Sequence, residues 1–154
     1  MRIVLDTNIL IRANPTVLPT ALARDLLAAV LAPPHTLILS TAILVEVDRV
    51  LRYPHVRDRW PLKESSIRSY LSLLETAAFM VDLPLSTPII VEDPDDDPIL
   101  QTAIVGHADV LCSRDEIFTS LPVKEACLIH GIRVLDDIAL RHELRLLQTK
   151  GKNM

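Results

Sequence analysis

Aromatic residues are nearly absent: they make up 3% of the chain, and Trp60, Tyr53, Tyr70, Phe79 and Phe118 are all there are. A core without them must be built from Leu, Ile, Val and Ala, and base stacking on an aromatic platform is not expected as a binding mode. No apolar run approaches the ~18–20 residues of a membrane span, and no basic stretch with an apolar segment precedes a cleavage site. The expectation is a soluble, cytoplasmic protein with no membrane partner. Two cysteines, Cys112 and Cys127, lack any metal-ligand spacing and suggest only a reducing compartment. A basic excess is missing as well, with a net charge of −4 and a pI near 5.7. That argues against a protein that coats nucleic acid broadly, yet leaves room for a nuclease with a local basic rim. Repeats, low-complexity stretches and linkers are also missing.

What is present is a surplus of aliphatic residues. The chain is 49% hydrophobic with mean hydropathy +0.31, and 154 residues suffice for one domain with a sizeable core. The same surplus is compatible with an interface between two copies. Short apolar runs read as strands over 2–6 (RIVLD), 35–40 (HTLILS), 110–115 (VLCSRD) and 132–137 (IRVLDD). A strand-like segment is expected near residue 90, and a loop holds Pro15 and Pro19. Helical spacing marks 19–32, 40–53, 63–80, 95–109, a stretch around KEACLIHG and the final IALRHELRLLQTK. Short buried strands alternating with helices of this length predict a three-layer α/β/α sandwich around a mainly parallel sheet. One domain is expected over residues 1–150, with 151–154 as a frayed tail.

The acids carry the chemistry. In an open parallel sheet, ligands sit beyond the carboxyl ends of the strands. Asp6 follows Ile3-Val4-Leu5 and Asp115 follows Val110-Leu111-Cys112-Ser113, so both belong at that edge, with Asn8 and Ser113 placed to orient their oxygens. Glu46 lies three residues after Ile43 and four before Val50, beside the buried stripe of its helix, where an unpaired carboxylate is costly. Asp96 stands three, four and seven residues ahead of Ile99, Leu100 and Ala103, in register with an apolar face. Asp97 is one position around, exposed or capping, and Asp93 and Asp95 read as loop residues. Four acids at one edge repel one another unless cations are present. Oxygen-only ligation suits Mg²⁺ or Mn²⁺, and metal held this way supports hydrolysis of a phosphodiester.

The segments VLDTNIL, LSTAILVEVDRVLRYPHV and DPDDDPILQTAIVGHADVLCSRD, in this order and spacing, resemble the PIN-domain family of metal-dependent ribonucleases. The nearest likeness is to VapC-like toxin components of toxin–antitoxin pairs, over roughly residues 1–120. The resemblance implies metal ligation by Asp6, Glu46, Asp96 and Asp115, and polar support from Asn8 and Ser113. It also implies an RNA substrate, a small antitoxin protein as partner and a homodimer. Two departures stand out. The family often has Gly before the last acid, where this chain has Arg114, which either reshapes the loop or reaches for phosphate. The segment after residue 120 is longer than the family's ending and carries its own acids, Asp136 and Asp137.

Arg49, Arg52, Arg57, Arg59, Lys63 and Arg68 cluster between two helices, with His55 and Trp60 among them. They read either as a basic rim for an RNA backbone or as a solvated face diluted by Asp48, Asp58 and Glu64. His35, His107, His130 and His142 are scattered and read as structural or surface residues. Two rival functions remain. An aspartyl-phosphate enzyme or receiver domain is disfavoured, because a phosphatase of that kind wants a second Asp where Asn8 stands and a receiver wants an acid pair. A non-catalytic PIN-fold module binding RNA or protein is the other.

Overall fold

The computed structural model describes residues 1–16, 21–85, 88–90 and 94–152. Its strands are β1 (Arg2–Leu5), β2 (Thr36–Ser40), β3 (Phe79–Val81), β4 (Val110–Cys112) and β5 (Arg133–Leu135). All neighbouring pairs are parallel, in the order β3-β2-β1-β4-β5. The helices are α1 (Thr7–Arg12), α2 (Ala21–Leu31), α3 (Thr41–Leu51), α4 (Pro54–Arg59), α5 (Glu64–Ala77), α6 (Asp97–Val105), α7 (Leu121–His130) and α8 (Asp137–Lys152). A 3-10 turn spans Glu116–Thr119.

Ile3, Val4, Leu5, Val110, Leu111 and Cys112 are all fully buried. Side chains alternate between the two faces of a strand, so helices must cover both faces of the central strands. The expected three-layer α/β/α sandwich is what forms. Its core is aliphatic, with Phe118 the one aromatic ring among the largest fully buried side chains.

Three local expectations need correction. The helix expected over 63–80 ends at Ala77, and Phe79–Val81 instead pairs with Ile38–Ser40 as the edge strand β3. Three residues with aromatic and β-branched ends satisfy a sheet edge better than a last helical turn. The strand expected near residue 90 does not include residues 88–90. The amides of Ile89 and Ile90, which a ladder would use, donate to Asp97 Oδ1 at 2.7 and 2.9 Å. Residues 91–93, which include Asp93 of the expected loop, lie outside the described residues, as do Pro19 and residues 153–154 of the expected tail. Thirdly, α1 and α4 were not foreseen. Each has six residues, too short to show a helical period. Helix α8 runs on to Lys152, two residues past the expected domain end.

Gly106 ends α6 where the helix passes closest to β2. A Cβ there would lie 2.4 Å from Ile38 Cγ2 and 2.9 Å from the Thr102 carbonyl oxygen. Neither neighbour can retreat, since Ile38 is fully buried and the other contact is backbone. Gly106→Ala is therefore expected to destabilise the fold by about 1–3 kcal/mol. Thermal unfolding checks this, and an unchanged melting temperature would contradict the close approach.

Candidate metal centre and the adjoining cavity

The register of the sheet builds the site. Leu5 pairs with Cys112, so the next residues, Asp6 and Ser113, emerge side by side at the carboxyl edge. The Asp6 amide continues the ladder by donating to the Cys112 carbonyl at 2.9 Å. Asp6 then turns the chain into α1, its carbonyl accepting from Ile9 and Leu10. The Ser113 hydroxyl donates to Asp6 Oδ2 at 2.6 Å and accepts from the Asp115 amide at 2.9 Å. Ser113 thus ties the Asp6 carboxylate to the backbone of the second acid. Asp115 itself opens the 3-10 turn, its Oδ1 accepting from the Ile117 amide at 3.1 Å.

Asp6 is only 4% exposed. Burial raises its pKa above the ordinary carboxylate range, and the negative charge of Asp115 raises it further. The Ser113 hydrogen bond and the amides of Thr7 and Asn8 act in the opposite direction. Burial dominates, so the carboxylate sits where its charge is costly without a cation.

Glu46 is half-buried on α3, as its position beside the apolar stripe implies. Its Oε2 accepts from Arg49 Nη2 at 2.6 Å and Nε at 2.9 Å. Arg49 also feels the charge of Asp95, next to the start of α6. Asp96 occupies the N-cap position of α6 without a side-chain capping bond and is half-buried, while Asp97 is 8% exposed. The expectation for Asp97 was exposure or capping. It is instead buried, holding the amides of Ile89 and Ile90 and accepting from Gln101 Nε2 at 3.4 Å.

Among the described residues, no three His, Cys, Asp or Glu side chains stand close enough to hold one ion. The structure therefore joins Asp6, Ser113 and Asp115, and leaves Glu46 on Arg49. Donor chemistry nevertheless fits a hard divalent cation. Every candidate ligand atom is a carboxylate oxygen, and the Asp6 charge is buried beside a second acid.

The arginines divide. Arg52 is bonded to Asp48 and to both oxygens of Glu64, which also takes Arg68. Arg57 is exposed on α4. Arg114 bonds the buried carboxylate of Asp137 at the start of α8, so it serves the C-terminal helix, although it also borders the site. Beside the acids opens a cavity of about 690 Å³. Its lining includes Asp6, Asn8 and Asp115, Arg12 of α1, and His55, Arg59 and Trp60 in and just after α4. Arg12 was not foreseen as a site residue, because the short helix that carries it leaves no periodic signal, whereas His55 and Trp60 stand within the basic cluster read as a possible RNA rim.

A family model described as PIN domain matches residues 2–116. The chain belongs to the PIN-domain family. The match ends within the 3-10 turn, so α7, β5 and α8 of this PIN domain lie beyond it. Among solved structures, the fold is similar to a chain in the crystal structure of VapBC2 from Rickettsia felis bound to a DNA fragment from their promoter. The TM-score is 0.55 at 16% identity, over 88% of this chain and 98% of that one. At that identity the likeness concerns the fold alone. No curated protein matches this chain. No helix among the described residues is long and apolar enough to cross a membrane.

Proposed function

We propose that this PIN domain is a Mg²⁺- or Mn²⁺-dependent ribonuclease that hydrolyses RNA phosphodiester bonds. The observation that carries the reading is the buried Asp6 carboxylate at a strand end, tied through Ser113 to Asp115. Asp6, Asp115, Glu46 and Asp96 are the residues that would hold the ion, Glu46 by exchanging its contact with Arg49. A divalent ion there supplies an activated water and stabilises charge on the phosphate oxygens. Ser113 fixes the Asp6 carboxylate, and Asn8 offers a neutral polar group beside it. Arg12, Arg59 and Arg114 border the cavity and would take backbone phosphates.

The likeness to VapBC2 of Rickettsia felis supports the toxin branch, with a small antitoxin protein as partner. For a homodimer, the exposed Leu121, Leu128 and Ile129 of α7 offer apolar surface. The test is a mixed-sequence labelled RNA incubated with purified protein and Mn²⁺, with and without EDTA. Cleavage should appear with Mn²⁺, stop with EDTA and return when Mn²⁺ is restored in excess. Intact RNA in every arm, with folded protein, would leave the binding-module reading.

A further inference from the structure

The cavity beside Asp6 and Asp115 is more than a phosphate would require. A phosphate on a metal needs charge and hydrogen bonds, whereas much of this cavity is walled by Ile9, Ile11, Val50, Val56 and the indole of Trp60. Apolar walls a short reach from a carboxylate pair fit a ligand that is itself split in character. A nucleotide is such a ligand, with an apolar π face on the base and a charged backbone. Ligand sites of a few hundred Å³ commonly combine apolar walls with a few placed polar groups, and 690 Å³ falls in that class.

Trp60 is the only tryptophan of the chain. It follows α4 directly and is half-buried. The Arg59 guanidinium lies over one face of its ring, 5.0 Å from the centroid, a cation–π contact that holds a positive charge on the aromatic surface. On α1, Arg12 also lines the cavity, and its Nε donates to the Asn8 carbonyl at 3.2 Å, which holds that arginine along the helix. An aromatic ring with cations close by is how proteins hold unpaired bases without reading their sequence.

We propose that the cavity between α1 and α4 is a nucleobase subsite, in which one unstacked base of single-stranded RNA lies on Trp60 next to the phosphate to be cut. Arg59 and Arg12 bind the phosphates flanking that base. This rests on the ribonuclease reading above and narrows its substrate to RNA whose base is already free of a helix. In a duplex the same base is paired and stacked, and reaching Trp60 requires it to be extruded.

The test uses Trp60 as its own reporter. Metal-free protein in EDTA, where nothing is cleaved, is titrated with a short mixed-sequence single-stranded RNA, with the same sequence as a duplex, and with inorganic polyphosphate. Single-stranded RNA should quench the tryptophan fluorescence, the duplex should bind at least about 10-fold more weakly, and polyphosphate should leave the emission unmoved. In the Mn²⁺ assay, Trp60→Ala should raise KM by about 10-fold or more with a smaller change in kcat, and Trp60→Phe should recover most of it. Quenching by polyphosphate or equally by duplex would overturn the subsite. So would metal-dependent cleavage in which Trp60→Phe and Trp60→Ala both keep the wild-type KM. If the wild-type protein cleaves nothing with Mn²⁺, the ribonuclease reading fails instead, a separate result from the quenching.

Discussion

Asp6→Asn is expected to reduce RNA cleavage by more than the roughly 100-fold that loss of an outer-shell partner costs a metal site. It is also expected to raise the melting temperature of the metal-free protein at neutral pH. Both effects come from one property of the native residue. Asp6 is 4% exposed, and burial, reinforced by Asp115, raises its pKa above the ordinary carboxylate value. The unfolded chain therefore releases this proton first as pH rises. The folded state loses stability through the window between the ordinary and the raised value, and does not regain it above that window. Asn has no such penalty, and its side-chain oxygen can still accept from Ser113. The gap in melting temperature between variant and wild type should thus close below the ordinary carboxylate range and widen as pH rises through it. Loss of activity with a gain in stability is the pattern of a group kept for chemistry. A variant that melts below wild type at neutral pH would show that Asp6 is structural.

The second large effect separates two neighbours. Asp97→Ala is expected to cost about 2–4 kcal/mol, because the half-buried amide of Ile89 and the buried amide of Ile90 both lose their acceptor. For a chain of this size that means a fall of roughly 5–15 °C in melting temperature. Asp96→Asn is expected to cost less stability than Asp97→Ala, since it keeps a side-chain oxygen and orphans neither the Ile89 nor the Ile90 amide, yet to lose most cleavage. Thermal melts and initial rates on the two variants decide this. If Asp97→Asn kept the fold and lost activity while Asp96→Asn kept activity, the ligand would be Asp97.

The long periodic segments and the apolar strand runs were legible in the sequence because each repeats its pattern over enough residues. Asp6 and Ser113 were legible for a related reason: each directly follows a buried strand, and parallel strands deliver their ends to one edge. The placement of Glu46 beside the apolar stripe also corresponds to its half-buried position. What the pattern could not carry was pairing set by tertiary structure. Arg114 finds Asp137 across 23 residues, and Asp97 turns back to the 88–90 segment. Neither contact has a periodic trace. The low aromatic content argued against a stacking platform, yet α4 brings the one tryptophan to the wall of the cavity beside Asp6. Composition counts rings and says nothing of where one ring is placed.

The carboxylate centre is tested most directly by calorimetric titration of Mn²⁺ into the EDTA-stripped, dialysed protein, with Asp6→Asn and Asp115→Asn alongside. The expected result is saturable binding to the wild-type protein, accompanied by proton release at acidic pH, and at least about a 10-fold loss of affinity in each variant. Wild-type Mn²⁺ affinity in a folded Asp6→Asn protein would contradict a metal centre at this sheet edge.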